Sequence, residues 1–238
     1  MLPSLKQELQ SLTNPEKAKQ LQRFFKTGKG QYGEGDVFLG LTSQQIKDVA
    51  KRFSQLNLKE VQELLNNKIH DERMCALRIL MMQYKKAKKD ALKKRQIFEF
   101  YLKNTKNINN WDLVDISAPH IVGDFLQREG TEILKQLAKS ENLWERRIAI
   151  VSTYAFIKKR NFGNTLTISE ILLKDEHDLI HKAVGWMLRE IGKRNKNVLE
   201  IFLSTRYKEM PRTMLRYSIE KFSKEERDKY LKKEKKSI

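Results

Sequence analysis

Residues 180–193, IHKAVGWMLREIGK, decide how the chain folds. Ile180, Ala183, Val184, Met187, Leu188 and Ile191 recur at the three- and four-residue spacing that places them on one side of an α-helix. Lys182, Trp186, Arg189 and Lys193 fall on the opposite side. A core tryptophan belongs with the apolar set, so Trp186 on the basic stripe is a candidate for a surface role.

The same 3.6-residue period recurs in DERMCALRILMMQYKK (71–86), WDLVDISAPHIVGDF (111–125), LWERRIAIVSTYAFIKK (143–159) and MPRTMLRYSIEKF (210–222). With Arg73, Asp112, Arg146, Lys182 and Arg212 as markers, the intervals are 39, 34, 36 and 30 residues. Shorter amphipathic stretches lie between the long ones: EVQELLNNK, EILKQLAKS, ISEILLKD and VLEIFLST. A long and a short helix repeating at this period is the pattern of HEAT-like units, so the expectation is an all-α protein, an α-solenoid of about six HEAT-like helix pairs with a concave basic face. A globular helical bundle is the alternative. Asn14 and Pro15 stand as N-cap and first helical residue of TNPEKAKQLQRFF. The expected organisation is a single domain, 1–238: N-terminal helices in 1–26, a glycine-rich loop in 27–41 (TGKGQYGEGDVFLG and the next residue), helical repeats in 42–222, and a terminal helix with basic tail in 223–238.

Of the 238 residues, 48 are Lys or Arg and 30 are Asp or Glu, a formal net charge of +18. Removing the run KKEKK (232–236) leaves about +15, so the excess belongs to the folded body and favours polyanionic partners, nucleic acid first. Cys75 is the only cysteine, which excludes an intrachain disulfide and fits a reducing compartment. No metal site is expected, because four histidines and one cysteine do not make a Cys/His zinc set, and no glycine-rich phosphate loop appears. The start MLPSLKQELQ has no apolar signal region and no stretch approaches the ~20 apolar residues of a membrane span, so a cytoplasmic protein is expected, nucleoid-associated if the source is prokaryotic.

Within such a chain, NNWDLVDISAPH (109–120) sets two aspartates beside a tryptophan. Trp111 and Asp115 are four residues apart and share a helical face, although Pro119 kinks or restarts this helix. Core packing is the plainer reading of Trp111 taken alone. Asp112 reads most simply as an N-terminal helix carboxylate favoured by the dipole. Arg147 lies at the edge of an apolar face and needs an anion, either a structural carboxylate or a bound phosphate. A carboxylate on a DNA-binding face opposes phosphate, so Asp115 makes sense where positive charge develops during a reaction. Cleavage of an N-glycosidic bond has such a transition state, with oxocarbenium character at the sugar, and aromatic faces stabilise the same cation.

At these residues the sequence resembles the HEAT-like-repeat DNA glycosylases of the AlkD family, from about Asn14 to Phe222. WDLVD carries the family's W-x-x-x-D pair on Trp111 and Asp115, LWERRIA places its phosphate-contacting arginine on Arg147, and KAVGWMLRE places its second site tryptophan on Trp186. The resemblance implies excision of cationic alkylated purines such as N3-methyladenine and N7-methylguanine from double-stranded DNA; no cofactor is expected, no protein partner is implied, and a monomer is expected. It also implies that the lesion is not drawn into a base pocket. Asp115 would stabilise the sugar cation and position water, Trp111 and Trp186 would pack against the deoxyribose, and Arg147 would grip a phosphate. Lys182, Arg189, Lys193, Arg78 and Arg216 are candidates to extend the phosphate row, ordinary surface charge being the alternative for Arg78, Arg189 and Arg216. Two other readings stay open: a non-catalytic binder of branched or unusual DNA on the same fold, and a HEAT-type protein scaffold.

Overall fold

A computed structural model describes residues 1–231; the basic run 232–236 lies outside the described residues. Among those described, regular structure is helical, and the β-type contact is an isolated bridge between Val37 and Ile69. None of these helices is long and apolar enough to cross a membrane. The chain packs as two compact units that divide after Phe125.

The first unit holds α1 (Leu2–Ser11), α2 (Pro15–Phe24), α3 (Ser43–Arg52), α4 (Leu58–Leu65), α5 (His70–Lys86), α6 (Ala91–Lys103) and α7 (Trp111–Ala118), with the division falling in α8 (Asp124–Glu129). The expected start of α2 is present, with the Asn14 side chain accepting from the Lys17 N–H at 3.0 Å and Pro15 at the first position. α5 is the centre of this unit: α3, α4, α6 and α7 all pack on it, and Cys75, Ala76, Leu77, Ile79 and Leu80 are fully buried. α6 has no counterpart among the helices expected from the sequence; the four basic residues in ALKKRQIFEFYLK mask its apolar side of Ile97, Phe98 and Tyr101. Pro119 neither ends α7 nor simply kinks it. The helix widens into a π-turn over Pro119–Gly123, which is how a chain continues when proline has no N–H to give to the carbonyl of Asp115 four residues back.

The second unit holds α9 (Glu132–Ala138), α10 (Leu143–Ser152), α11 (Tyr154–Ile157), α12 (Gly163–Ile171), α13 (Asp178–Gly192), α14 (Lys196–Arg206), α15 (Arg212–Ser218) and α16 (Lys224–Leu231). α10, α13 and α15 pack side by side, and α9, α12 and α14 lie against them as a second layer. α10 and α13 each follow a shorter partner, as the repeat in the sequence predicts, whereas α14 is longer than the α15 that follows it. α13 buries Ile180, Ala183, Val184, Met187, Leu188 and Ile191, the apolar stripe read from the sequence.

Gly185 sits where α13 meets α15. A Cβ there would stand 2.6 Å from the Met214 carbonyl oxygen and closer still to the Tyr217 Cβ, so no flexible side-chain tip can yield to it. Gly185→Ala is expected to cost about 1–3 kcal/mol, the range of overpacked cores. Urea unfolding of the two proteins checks this; a neutral or stabilising alanine would show that α13 and α15 are not packed this closely.

Candidate active site

The glycine-rich stretch is non-helical from Lys26 to Thr42, and its return limb is fastened to the start of α5. Val37 donates to the Lys68 carbonyl (3.0 Å) and accepts from the His70 N–H (2.8 Å), while the Asp71 carboxylate accepts from the Leu39 and Leu41 N–H groups at 2.8 and 3.1 Å. At the near end of the loop, a Cβ on Gly33 would stand 2.5 Å from the Phe25 carbonyl oxygen, so only glycine lets the loop close over Phe25.

This fastening brings together four rings from four places in the sequence. Trp111 stacks on Phe25 (centroids 5.1 Å apart, planes 19° apart), Phe25 on Phe38 (5.0 Å), and Phe38 on His70 (4.5 Å). The exposed ring of Phe24 meets Trp111 edge-on at 5.9 Å. The indole N–H of Trp111 donates to the Tyr32 hydroxyl at 3.3 Å. Trp111 is therefore both a member of the aromatic cluster and a half-buried wall of the space in front of it.

His70 is the electrostatic centre. Its Nε2 lies 2.9 Å from Asp112 Oδ2 and its Nδ1 3.2 Å from Asp36 Oδ2; the other oxygen of Asp36 is ion-paired with Arg73 at 2.6 Å. Burial alone would make the ring harder to charge, but attraction to Asp112 and hydrogen bonds to Asp112 and Asp36 outweigh it and raise its pKa to about 9. Burial also opposes the charge on Asp36, yet the hydrogen bond to His70 and the nearby Arg73 hold its carboxyl below the usual range. Asp112 does more than the helix-end role expected of it, because Oδ1 accepts from the Leu113 N–H while Oδ2 holds His70.

Trp111, Asp112, Asp115, His70, Phe25 and Phe38 all line one cavity of about 450 Å³. Arg78 lines it too, with its guanidinium donating to Ser43 Oγ at 2.6 Å. Burial lowers the Arg78 pKa, partly countered by Cys75 and Asp112. Three of the residues expected to act are thus in one place: Trp111, Asp115 and Arg78. The buried Cys75 thiol is pushed up to about 12, mainly by burial, and so is a poor nucleophile.

The remaining candidates belong to the second unit. Arg147 on α10 is buried and donates to the Leu179 carbonyl at 2.6 Å, at the first turn of α13. Its neighbour Arg146 turns to Asp175, also at 2.6 Å. Trp186 is half-buried, 6.2 Å from the Tyr154 ring. Along α13, Lys182 pairs with Asp178 (2.7 Å), Lys193 with Glu190 (2.6 Å), and Arg189 with Glu220 from beyond α15. Arg216 on α15 is exposed. Trp144 is buried at the head of α10, a structural position.

Sequence reasoning did not find His70, Asp36, Phe25, Phe38 or Tyr32. The available signal was an acid within a glycine-rich stretch of a chain charged +18, since a loop that must approach other backbone closely is a loop that places something.

A family profile described as DNA alkylation repair enzyme matches residues 5–222. Among curated proteins, none matches the sequence. Among solved structures, a protein described as a predicted DNA alkylation repair enzyme from Enterococcus faecalis superposes with a TM-score of 0.68 at 17% identity, covering 89% of this chain and 97% of its own. AlkD2 from Streptococcus mutans superposes at 0.55, again at 17% identity, over 86% of this chain and 97% of its own. At such identity these structures establish a shared fold.

The charged state of His70 has a testable consequence. Its folded pKa is raised, so the stability it contributes is fully present below the ordinary value near 6.5 and is lost as pH climbs through about 9. The contribution should be on the order of 3 kcal/mol. The ring resonances missing from His70→Gln should titrate near 9, and the stability gap between wild type and variant should narrow between pH 6.5 and 9. A ring titrating at or below 6.5 would mean that burial wins over the two carboxylates.

Proposed function

The chain belongs to the DNA alkylation repair enzyme family, and from that membership we propose that it is a monofunctional glycosylase that hydrolyses the N-glycosidic bond of N3-methyladenine and N7-methylguanine in duplex DNA, leaving an abasic site. The observation that carries this reading is the convergence of Trp111 and Asp115 on one cavity, with Asp112 already committed to His70.

In this reading the alkylated purine carries its own positive charge and leaves readily, so neither a general acid nor a metal is required. As the bond lengthens, positive charge moves to the sugar, where the Asp115 carboxylate opposes it and orients the attacking water. The faces of Trp111 and Trp186 pack against the deoxyribose and add cation–π attraction. Arg147 grips a phosphate; with one Nη already on the Leu179 carbonyl, its guanidinium is fixed before DNA arrives. Arg78, Lys182, Arg189, Lys193 and Arg216 contribute phosphate contacts, and several would exchange a carboxylate partner for phosphate. The protein acts as a monomer in the cytoplasm or on the nucleoid, with the helical repeat as a single domain.

Phosphate neutralisation should dominate binding to undamaged duplex. With roughly 6–10 phosphate contacts, affinity should fall about 10³–10⁵-fold between 50 and 200 mM salt. A titration showing near salt-independence would sink the DNA-binding reading.

Asp115→Asn should keep duplex affinity, or raise it slightly by removing a negative charge, while single-turnover release of methylated base from an alkylated duplex slows on the order of 10²–10³-fold. Asp112→Asn should lose stability first, because it takes a carboxylate from His70. Unimpaired excision by Asp115→Asn, with Asp112→Asn folded yet inactive, would reassign the reacting acid.

A further inference from the structure

Trp186 does not stand alone on the second unit. The Tyr154 ring lies beside it, with centroids 6.2 Å apart and planes inclined by 32°. Tyr154 comes about two helical turns after Arg147, where α10 gives way to α11 through Thr153. Both rings are half-buried, so each keeps part of its surface open to solvent. Two cations converge on the phenol ring from the ends of α11 and α13: the Lys158 ammonium lies 5.5 Å from its centroid and the Arg194 guanidinium carbon 5.7 Å. Arg194 is aimed by Glu190, a buried residue one turn beyond Trp186 on α13. Arg194 Nη1 donates to Glu190 Oε2 at 2.8 Å and to the Glu190 carbonyl at 2.9 Å. Burial opposes the charge on Glu190, yet hydrogen bonds from Lys193 and Arg194 hold its carboxyl below the usual range, so the anchor stays ionised. With one nitrogen so occupied, the guanidinium keeps further N–H donors for a second acceptor.

A ring that adjoins a second ring and is flanked by two cations suits a sugar–phosphate unit. The C–H face of the sugar packs on the π surface, and the phosphate oxygens accept from the cations. Successive nucleotides of one strand stand about 3.4 Å apart along the duplex axis, and further along the backbone that winds round it, so rings 6.2 Å apart can serve neighbours. Resting on the glycosylase reading above, we propose that Tyr154, Lys158 and Arg194 form a subsite for the nucleotide next to the lesion on the same strand. Its deoxyribose lies against the Tyr154 ring, and the phosphate linking it to the lesion sugar lies on Lys158 and Arg194. An ordinary surface cation–π pair needs one cation; here a second one is held in place by a buried carboxylate. The subsite gives the strand a register, because gripping the neighbouring nucleotide keeps the lesion sugar from sliding past Trp186.

Lys158 carries the test, because it is exposed and its replacement spares the core. The probe is a duplex with one 2′-fluoro-N7-methylguanine, whose fluorine keeps the glycosidic bond from breaking, and with a neutral methylphosphonate in place of one lesion-strand phosphate at a time. Lys158→Gln should keep the wild-type thermal midpoint, weaken binding to the all-phosphate duplex on the order of fivefold, and lower the log–log salt slope by about 1. Its loss and that of a methylphosphonate adjoining the lesion should not add, because both remove one contact. At the other phosphates the two losses should add. Tyr154→Ala should weaken the same binding about 3–10-fold, and Tyr154→Phe should restore it, since the ring makes the platform. Losses that add at every position, or that fail to add only at a phosphate away from the lesion, overturn the subsite. Base release from the ordinary N7-methylguanine duplex separates the two hypotheses. Release with additive losses rejects the subsite and keeps the glycosylase, whereas non-additive losses without release keep the subsite and reject hydrolysis.

Discussion

The first unit depends on one buried ring. His70 joins three segments that have no local reason to meet: the glycine-rich loop through Asp36, α5 through its own backbone, and α7 through Asp112. A cation at the first residue of a helix works against the helix dipole, and a buried one works against desolvation as well. Two carboxylates at hydrogen-bond distance offset both costs, and Arg73 on the far side of Asp36 keeps the four charges balanced. Removing any one member leaves a buried charge unpaired, so the network is selective as well as stabilising.

That network separates the two aspartates of α7. They lie one turn apart on one short helix and line one cavity, yet Asp112 is tied to His70 and to the Leu113 N–H. The same contact sets the rotation of α7 and with it the direction in which Trp111 and Asp115 face. Trp111 is further held by its stacking on Phe25 and its hydrogen bond to Tyr32, both supplied from before α3. A transition-state electrostatic site works only if its groups are fixed before charge develops, and under the proposed function the residues that fix Trp111 and Asp112 lie outside α7.

The helical periods and the stripe on α13 were legible in the sequence because both are local: spacing alone decides which residues share a side of a helix. Trp111 and Asp115 were legible for the same reason, being four residues apart. α6 escaped because lysine and arginine stems can cover apolar surface while their charges stay in water, which hides an amphipathic pattern from a reading by residue type. His70 and Asp36 escaped for a different reason. They are 34 residues apart, and their meeting is set by how the glycine-rich loop folds back along α5, a non-local event without a periodic signature. The π-turn at Pro119 was half-visible, since proline announces a disturbance but not how the chain absorbs it.

The presence of acid beside tryptophan in so basic a chain follows from what each kind of charge can select. Long-range attraction to a polyanion is set by the sum of charges and tolerates a few carboxylates at little cost. Recognition at contact is set by the groups within a few ångströms, where burial strengthens every interaction. Asp71, Asp112 and Asp115 against His70 and Arg78 give the lining of the aromatic-walled cavity a local charge preference opposite to the global one. Asp112 keeps its place in that lining through the His70 ring, which holds the carboxylate by a hydrogen bond from inside the fold rather than by a surface lysine.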